Sequence, residues 1–238
     1  MPEATLPPGQ RAGDAFPRFG HTAFADRFPA LPRQITLQLG GDVQRPLDIA
    51  ASWSELPRTR QRSDFHCVTT WTKLGLHWGG VRFRDVYELI ARPQAGADPR
   101  ATLVEFRAQD GYRSALPLAD LLADDVLLAD ELDGEPLPLA HGAPLRLVAP
   151  AHYGYKSVKH LKQLNFLCDA NRHRPVGPAF MAHPRARVAL EERGQHLPGW
   201  LLRRLYRPLI GPTAARFAAA LARHAEAVAR PETSAGPR

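Results

Sequence analysis

Asp64-Phe65-His66-Cys67-Val68-Thr69-Thr70-Trp71, with Trp78-Gly79-Gly80-Val81 shortly after it, sets the first of two cysteines between a Phe-His pair and a Thr-Thr-Trp stretch. The second, Cys168, lies far downstream. A lone thiol in such surroundings is open to three readings: a small buried apolar side chain, a nucleophile or a soft metal ligand. Arg60, Arg62 and His66 stand close in sequence and favour a thiolate.

Outward from this stretch the pattern is one of short elements. Ile35, Leu37 and Leu39 alternate with Thr36 and Gln38 until Gly40-Gly41, where the strand is expected to break. Residues 84–92 read as a short helix with Val86, Leu89 and Ile90 on one face. Residues 102–106 read as a strand, Asp110-Gly111 as a turn, and 115–122 as a short helix beginning near Pro117. Val126-Leu127-Leu128-Ala129 is a short buried run. Asp133-Gly134 is a hairpin turn, and 145–148 a strand stopped by Pro150. Residues 158–167 mix basic and apolar side chains, which suggests an edge strand. There is no strand–helix–strand rhythm, so the expected fold class is α+β with mixed short strands and short helices. The expected organisation is an irregular Pro-rich arm over 1–30, a central domain over 31–182 and a basic helical extension over 183–238.

In that extension, Thr213 is expected to cap a helix running to about Ala229, with Phe217, Leu221, His224 and Val228 on one stripe. Residues 200–207 are amphipathic and basic, and the chain from Pro231 is expected to be disordered. This region either packs on the body or lies on a membrane surface.

Composition narrows the function. The 238 residues are 44% hydrophobic and 23% charged, as in ordinary soluble domains. Twenty-three prolines disfavour long helices over most of the chain. Of the net charge of +7, +6 falls from residue 183 onward, so the body is nearly neutral and a nucleic-acid-binding surface is not expected. No apolar run reaches the ~18 residues of a membrane span, and no export signal is read, so the expected location is cytoplasmic. Two cysteines are too few for a thiolate-held iron–sulfur cluster, and no Cys-x-x-Cys-His haem motif occurs.

Two further segments carry chemistry. In His141-Gly142-Ala143-Pro144-Leu145-Arg146 a rigid turn delivers an arginine to the start of a strand, suited to a planar or phosphorylated anion or to a surface ion pair. In His152-Tyr153-Gly154-Tyr155-Lys156-Ser157-Val158-Lys159 a loop offers ammonium groups, a hydroxyl and backbone N–H donors to a phosphate, or forms a solvated basic edge. It is no Walker loop.

Taken in order, Phe65-His-Cys67-Val-Thr-Thr-Trp, Trp78-Gly-Gly-Val, Asp133-Gly-Glu-Pro-Leu-Pro, His141-Gly-Ala-Pro-Leu-Arg and Tyr153-Gly-Tyr-Lys-Ser-Val-Lys resemble the molybdopterin-dependent oxidoreductases of the sulfite oxidase superfamily, over roughly residues 16 to 167. The resemblance implies a sulfite-oxidase-type α+β domain that carries one molybdenum on one pterin (Mo-molybdopterin). Cys67 matches the cysteine that ligates the metal. Arg146 matches the arginine at the cofactor's phosphate end, and His141 the residue set against the pterin. Ser157, Val158 and Lys159 match the loop that closes on the phosphate. Arg18 and Phe19 match the N-terminal arm over the pterin. Sulfite oxidases proper follow the cysteine with Ala-Gly-Asn-Arg, and the protein-methionine-sulfoxide reductases look like Cys-Val-Glu-Ala-Trp. Here the run is Val68-Thr69-Thr70-Trp71, closest to the sulfite oxidase-like branch.

The implied activity is a two-electron oxygen-atom transfer on a small or peptide-borne oxyanion, S-oxide or N-oxide, with a separate electron carrier. Thr69, Thr70, His66 and Asp110 are polar candidates near the reacting centre, His66 equally as a structural hydrogen-bonded residue. The alternative is a non-catalytic module of the same fold that docks on an acidic partner or membrane surface through its basic tail.

Overall fold

The computed structural model describes residues 6–32, 34–177 and 181–229. Among these, eleven strands form two sheets. In chain order they are β1 (Arg11–Ala12), β2 (Leu37–Gly41), β3 (Leu47–Ile49), β4 (Arg58–His66), β5 (Trp71–Arg82), β6 (Leu103–Ala108), β7 (Arg113–Pro117), β8 (Leu127–Leu132), β9 (Glu135–Pro136), β10 (Arg146–Val148) and β11 (Leu161–Leu167). Four α-helices join them: α1 (Phe83–Val86), which runs on as a wider π-turn over Tyr87–Ala91, α2 (Leu118–Leu121), α3 (Gly199–Tyr206) and α4 (Ile210–Ala229). The class is the expected α+β.

The first sheet follows β1-β5-β8-β10, with β4 on β5 and β9 on β8; the second is ordered β3-β2-β11-β6-β7. Alternation along β8 and β10 explains how both faces of the first sheet are covered. Leu128 and Leu147 point into the main core with Val104, Phe106, Leu164 and Phe166 of the second sheet. Leu127, Ala129 and Val148 point the other way, to a smaller core with Leu76, Trp78, Phe16 and Phe65. A strand apolar on both faces reads as a continuous run, hence Val126-Leu127-Leu128-Ala129. The candidate site lies against this second, outer face.

Several expectations need correction. The strand after Ile35 does not stop at the glycines; β2 includes Gly40 and Gly41. Gly41 has φ +80°, and a Cβ there would sit 2.3 Å from the Phe166 carbonyl oxygen, so the glycine permits close pairing instead of ending it. The segment 158–167 is no edge. β11 is central, parallel to β2 on one side and antiparallel to β6 on the other. Its buried Leu161, Leu164 and Phe166 secure that place, and its polar Asn165 bonds Glu105 of β6 at 3.2 Å. Residues 115–117 belong to β7, while the short helix begins next to Pro117 as expected, at Leu118. The last helix begins at Ile210, ahead of Thr213, and Val228 is exposed instead of joining the packed stripe.

α4 packs on the N-terminal arm. Phe217 stacks near Phe19 (6.4 Å), His224 stacks on Phe28 (4.1 Å), and Arg216 and Arg223 pair with Asp26. The expected tail from Pro231 lies outside the described residues.

Candidate functional site

Cys67 sits in the tight connection between β4 and β5. Its N–H donates to the Trp71 carbonyl at 2.8 Å, and Thr70 N–H donates to the Cys67 carbonyl at 3.1 Å. Thr70 is forced to φ +92°, a costly conformation for a β-branched residue, which the surrounding pairing must hold. A side-chain relay reinforces the loop. Gln10 Nε2 donates to the Cys67 carbonyl at 3.1 Å, and Thr72 Oγ1 donates to Gln10 Oε1 at 2.9 Å. With that hydroxyl proton committed, Thr72 accepts from His66 Nδ1–H at 2.9 Å. His66 is thereby the structural, hydrogen-bonded residue, and burial lowers its pKa.

The Cys67 thiol is buried, 3.1 Å from Thr69 Oγ1. Burial pushes its pKa up; the Thr69 contacts and the positive charges of Arg193 and Lys159 pull it back down. Thr69 is thus the candidate polar group in direct contact with sulfur.

Arg146, on β10, is 2% exposed. Its guanidinium donates to the carbonyls of His141 (2.8 Å), Ser157 (3.3 Å) and Leu147 (3.3 Å), and lies over the rings of Trp78 and Phe65 at 5.0 and 5.3 Å. Burial brings its pKa down to about 9. Lys159 Nζ donates to the Phe19 carbonyl at 2.9 Å. Burial first, then Arg146 and Arg18, lower it to about 7. Arg18 donates to the carbonyls of Ala25, Arg27 and Phe24 and lies over Phe28 and Phe217. Among the described residues none of these three cations makes an ion pair; Asp110 and Asp26 act on Arg18, and Asp110 on Lys159, through space. Arg18 and Arg146 are buried and Lys159 is half-buried, and cations withdrawn from water without an ion pair favour an anion beside them.

His141 stacks on Phe16 at 4.4 Å and 8°. Burial, then Arg146 and Lys159, lower its pKa to about 4, so it is neutral at physiological pH. Gly142 lets this turn lie on Lys159: its φ is +114°, and a Cβ would meet Lys159 Cβ at 2.9 Å. Ser157 Oγ accepts from Ala149 N–H at 3.3 Å. Val158 faces the main core with its side chain, so only its backbone can meet a ligand. Phe19 packs edge-on against Trp71 at 5.6 Å.

The fold therefore brings Cys67, His141, Arg146, Lys159, Arg18 and Phe19 to one face, around Phe16, Phe65, Trp71 and Trp78. The arm's rings fill this region. Clefts of about 370 and about 430 Å³ open elsewhere, along β2, β3 and β11 and beside Arg60, Trp78 and Glu131. The residues nevertheless fit an anionic, planar, metal-bearing group. They offer one soft thiol and three uncompensated cations. The buried indole Nε1 atoms of Trp71 and Trp78 also find no acceptor in the protein, an uncommon state for buried donors.

Sequence reasoning missed Arg193. It is fully buried, 125 residues from the hairpin it grips: Nη1 donates to the Val68 carbonyl at 2.5 Å and Nη2 to the Pro8 carbonyl at 3.1 Å. Its guanidinium lies over Tyr153 at 4.9 Å, and its Nε pairs with Glu191 at 3.2 Å. Its only sequence signal was an Arg beside two Glu in a basic tail.

A family model described as the oxidoreductase molybdopterin binding domain matches residues 25–174. The oxidoreductase YuiH of Bacillus subtilis is 36% identical over 162 residues, covering 68% of this chain and 78% of that protein. Sulfite oxidase of Arabidopsis thaliana is 36% identical over 107 residues, covering 40% of this chain and 27% of that protein. The solved sulfane dehydrogenase SoxCD of Paracoccus pantotrophus shares the fold with a TM-score of 0.55 at 23% identity, covering 67% of this chain and 46% of that one.

Proposed function

This chain belongs to the oxidoreductase molybdopterin binding domain family, within the sulfite oxidase superfamily, and is an enzyme of Mo-molybdopterin; on that premise we propose that it moves one oxygen atom and two electrons to or from a small or peptide-borne oxyanion, S-oxide or N-oxide, and exchanges those electrons with a separate carrier. One observation supports the reading: buried Arg18 and Arg146 and half-buried Lys159, none of them in an ion pair among the described residues, lie on the same face as a buried thiol.

When bound, the cofactor supplies the two-electron, oxygen-exchanging chemistry. The protein's part is to hold and shield it. Cys67 Sγ, as a thiolate, would hold the metal, with Thr69 Oγ1 placed to donate to that sulfur. Arg193 and Lys159 favour a negative sulfur electrostatically. Arg146, Lys159 and the hydroxyl of Ser157 would hold the phosphate end, with Val158 contributing backbone alone. Neutral His141 would offer one donor and one acceptor to the pterin. Arg18 and Phe19 would hold the arm over the cofactor, and Phe16, Phe65, Trp71 and Trp78 would exclude water, which strengthens each electrostatic contact. The chain's two thiols cannot hold an iron–sulfur cluster, which supports an external electron carrier.

The test is metal and pterin content after expression in a host that makes the cofactor. We expect about one of each per wild-type chain, and for Cys67→Ser a molybdenum content reduced by at least roughly tenfold with unchanged secondary structure. Wild-type protein without molybdenum or pterin overturns the reading. Turnover of sulfite, S-oxides and N-oxides against a redox dye then identifies substrate and direction.

A further inference from the structure

Eight large apolar side chains stand exposed among the described residues, and five of them fall within twenty positions: Leu190, Leu197, Trp200, Leu205 and Leu209. Helical geometry explains part of the clustering. Leu202 and Tyr206 face inward and are buried, which turns Trp200 and Arg204 to the opposite side of α3, with Leu205 exposed on its flank. The preceding loop, with exposed Leu190 and Leu197, packs against the start of α3: a Cβ on Gly199 would sit 2.2 Å from the Glu191 carbonyl oxygen. Isolated exposed leucines mean little; a contiguous apolar patch marks an interface.

The charges select the partner. Arg204 lies over Trp200 at 5.7 Å and has no carboxylate among the described residues, and Arg207 is exposed beside it. The nearby acids are already engaged: Glu191 holds Arg193 and Arg203, and Glu192 holds Arg187. The outer side of α3 thus presents indole, leucine and guanidinium, donors without carboxylates. A protein partner ordinarily reads both donors and acceptors. A bilayer surface asks only for apolar groups at the acyl boundary and cations among the phosphates, with Trp favoured between them.

We propose that the face formed by Leu190, Leu197, Trp200, Arg204, Leu205 and Arg207 docks on an anionic lipid surface. The docking is peripheral, since no described helix is long and apolar enough to cross a membrane. It is independent of the redox reading and of the cofactor.

The full chain is floated with vesicles of phosphatidylcholine alone and of phosphatidylcholine with phosphatidylglycerol. We expect binding to the anionic vesicles only, reversed by high salt. Trp200 is half exposed, while Trp53 and Trp78 are buried, so binding also shields a large share of the quenchable tryptophan fluorescence from acrylamide. Trp200→Glu with Leu205→Glu should weaken binding at least about tenfold, and Arg204→Ser with Arg207→Ser by about the same. Leu89→Glu, at an exposed apolar site on another element, should leave it unchanged. Failure to bind anionic vesicles, equal binding to neutral ones, or unaltered binding by both double variants overturns the proposal. So does capture by an acidic polypeptide when vesicles are ignored, which makes the face a protein-docking one.

Discussion

Two ionic regions of this molecule are built on opposite plans. Where the C-terminal extension meets the body, four arginines have their acids, while Lys156 beside them donates to the Ala115 carbonyl. Arg185 pairs with Asp120, Arg187 with Glu192, and Arg193 and Arg203 share Glu191. On the outer face of the first sheet, Arg18, Arg146 and Lys159 are met only by carbonyls and aromatic rings. The first arrangement is electrostatically closed and serves the fold. The second is open, which fits the proposed anionic cofactor. The two also differ in burial: Arg185, Arg187 and Arg203 are over a third exposed, whereas Arg18 and Arg146 are buried.

The largest break in this contrast should come from Arg146→Met. Removing an uncompensated buried charge leaves the cofactor-free protein as stable or about 1–3 kcal/mol more stable, while pterin retention falls about a hundredfold. Urea denaturation and bound-pterin assay read the two effects; loss of stability without loss of pterin would place Arg146 with the closed region. Asp120→Asn should do the reverse. It strands Arg185 and costs about 1–2 kcal/mol with or without cofactor, at unchanged pterin content.

A smaller effect separates the two plans by pH. Lys159 titrates near 7 because burial and its cationic neighbours oppose its charge. A bound phosphate raises that pKa, so binding takes up a proton. Affinity of the cofactor-free protein for sulfate, a phosphate stand-in whose own charge is constant across this range, should then fall as pH rises through 7, by at most about tenfold per unit. Calorimetry in two buffers of different ionisation heat measures the uptake; a flat profile would mean Lys159 does not face the anion.

The smallest expected change tests a closed pair on the second sheet. Burial pushes the Glu105 carboxyl up, but hydrogen bonds from His173 and Arg107 outweigh it and hold the pKa at about 2. A depressed folded pKa stabilises above the unfolded value of 4.5, and that contribution is lost as pH falls toward 2. Glu105→Gln should cost about 1 kcal/mol at neutral pH and flatten the acid limb of a stability curve.

The sequence revealed what is local. The rigid turn before Arg146, the start of α1 and the Asp133-Gly134 turn carry their signal in adjacent residues, and the ordered motifs identified the superfamily; β4 and β5 on either side of Cys67 were not read, and Leu89, expected on the packed face of the α1 region, is exposed. Nonlocal features stayed hidden. The centrality of β11 depends on β2 and β6, and its polar Lys162, Gln163 and Asn165 made it read as an edge. The relay His66–Thr72–Gln10 spans 62 positions between hydroxyl and amide. Phe16, the ring around which the site's aromatic side chains gather, lay in an arm of no fixed pattern. The grip of Arg193 on the Val68 carbonyl leaves no trace in either segment.

That grip has a bearing on biosynthesis. Arg193 joins Pro8 across 185 residues, so the segment beside Cys67 waits for its clasp while the ribosome works through most of the message. At ordinary translation speeds the delay is about 10–40 s. Residues 8 and 193 then converge on one short hairpin, and α4, made later still, closes on Arg18 and Phe19.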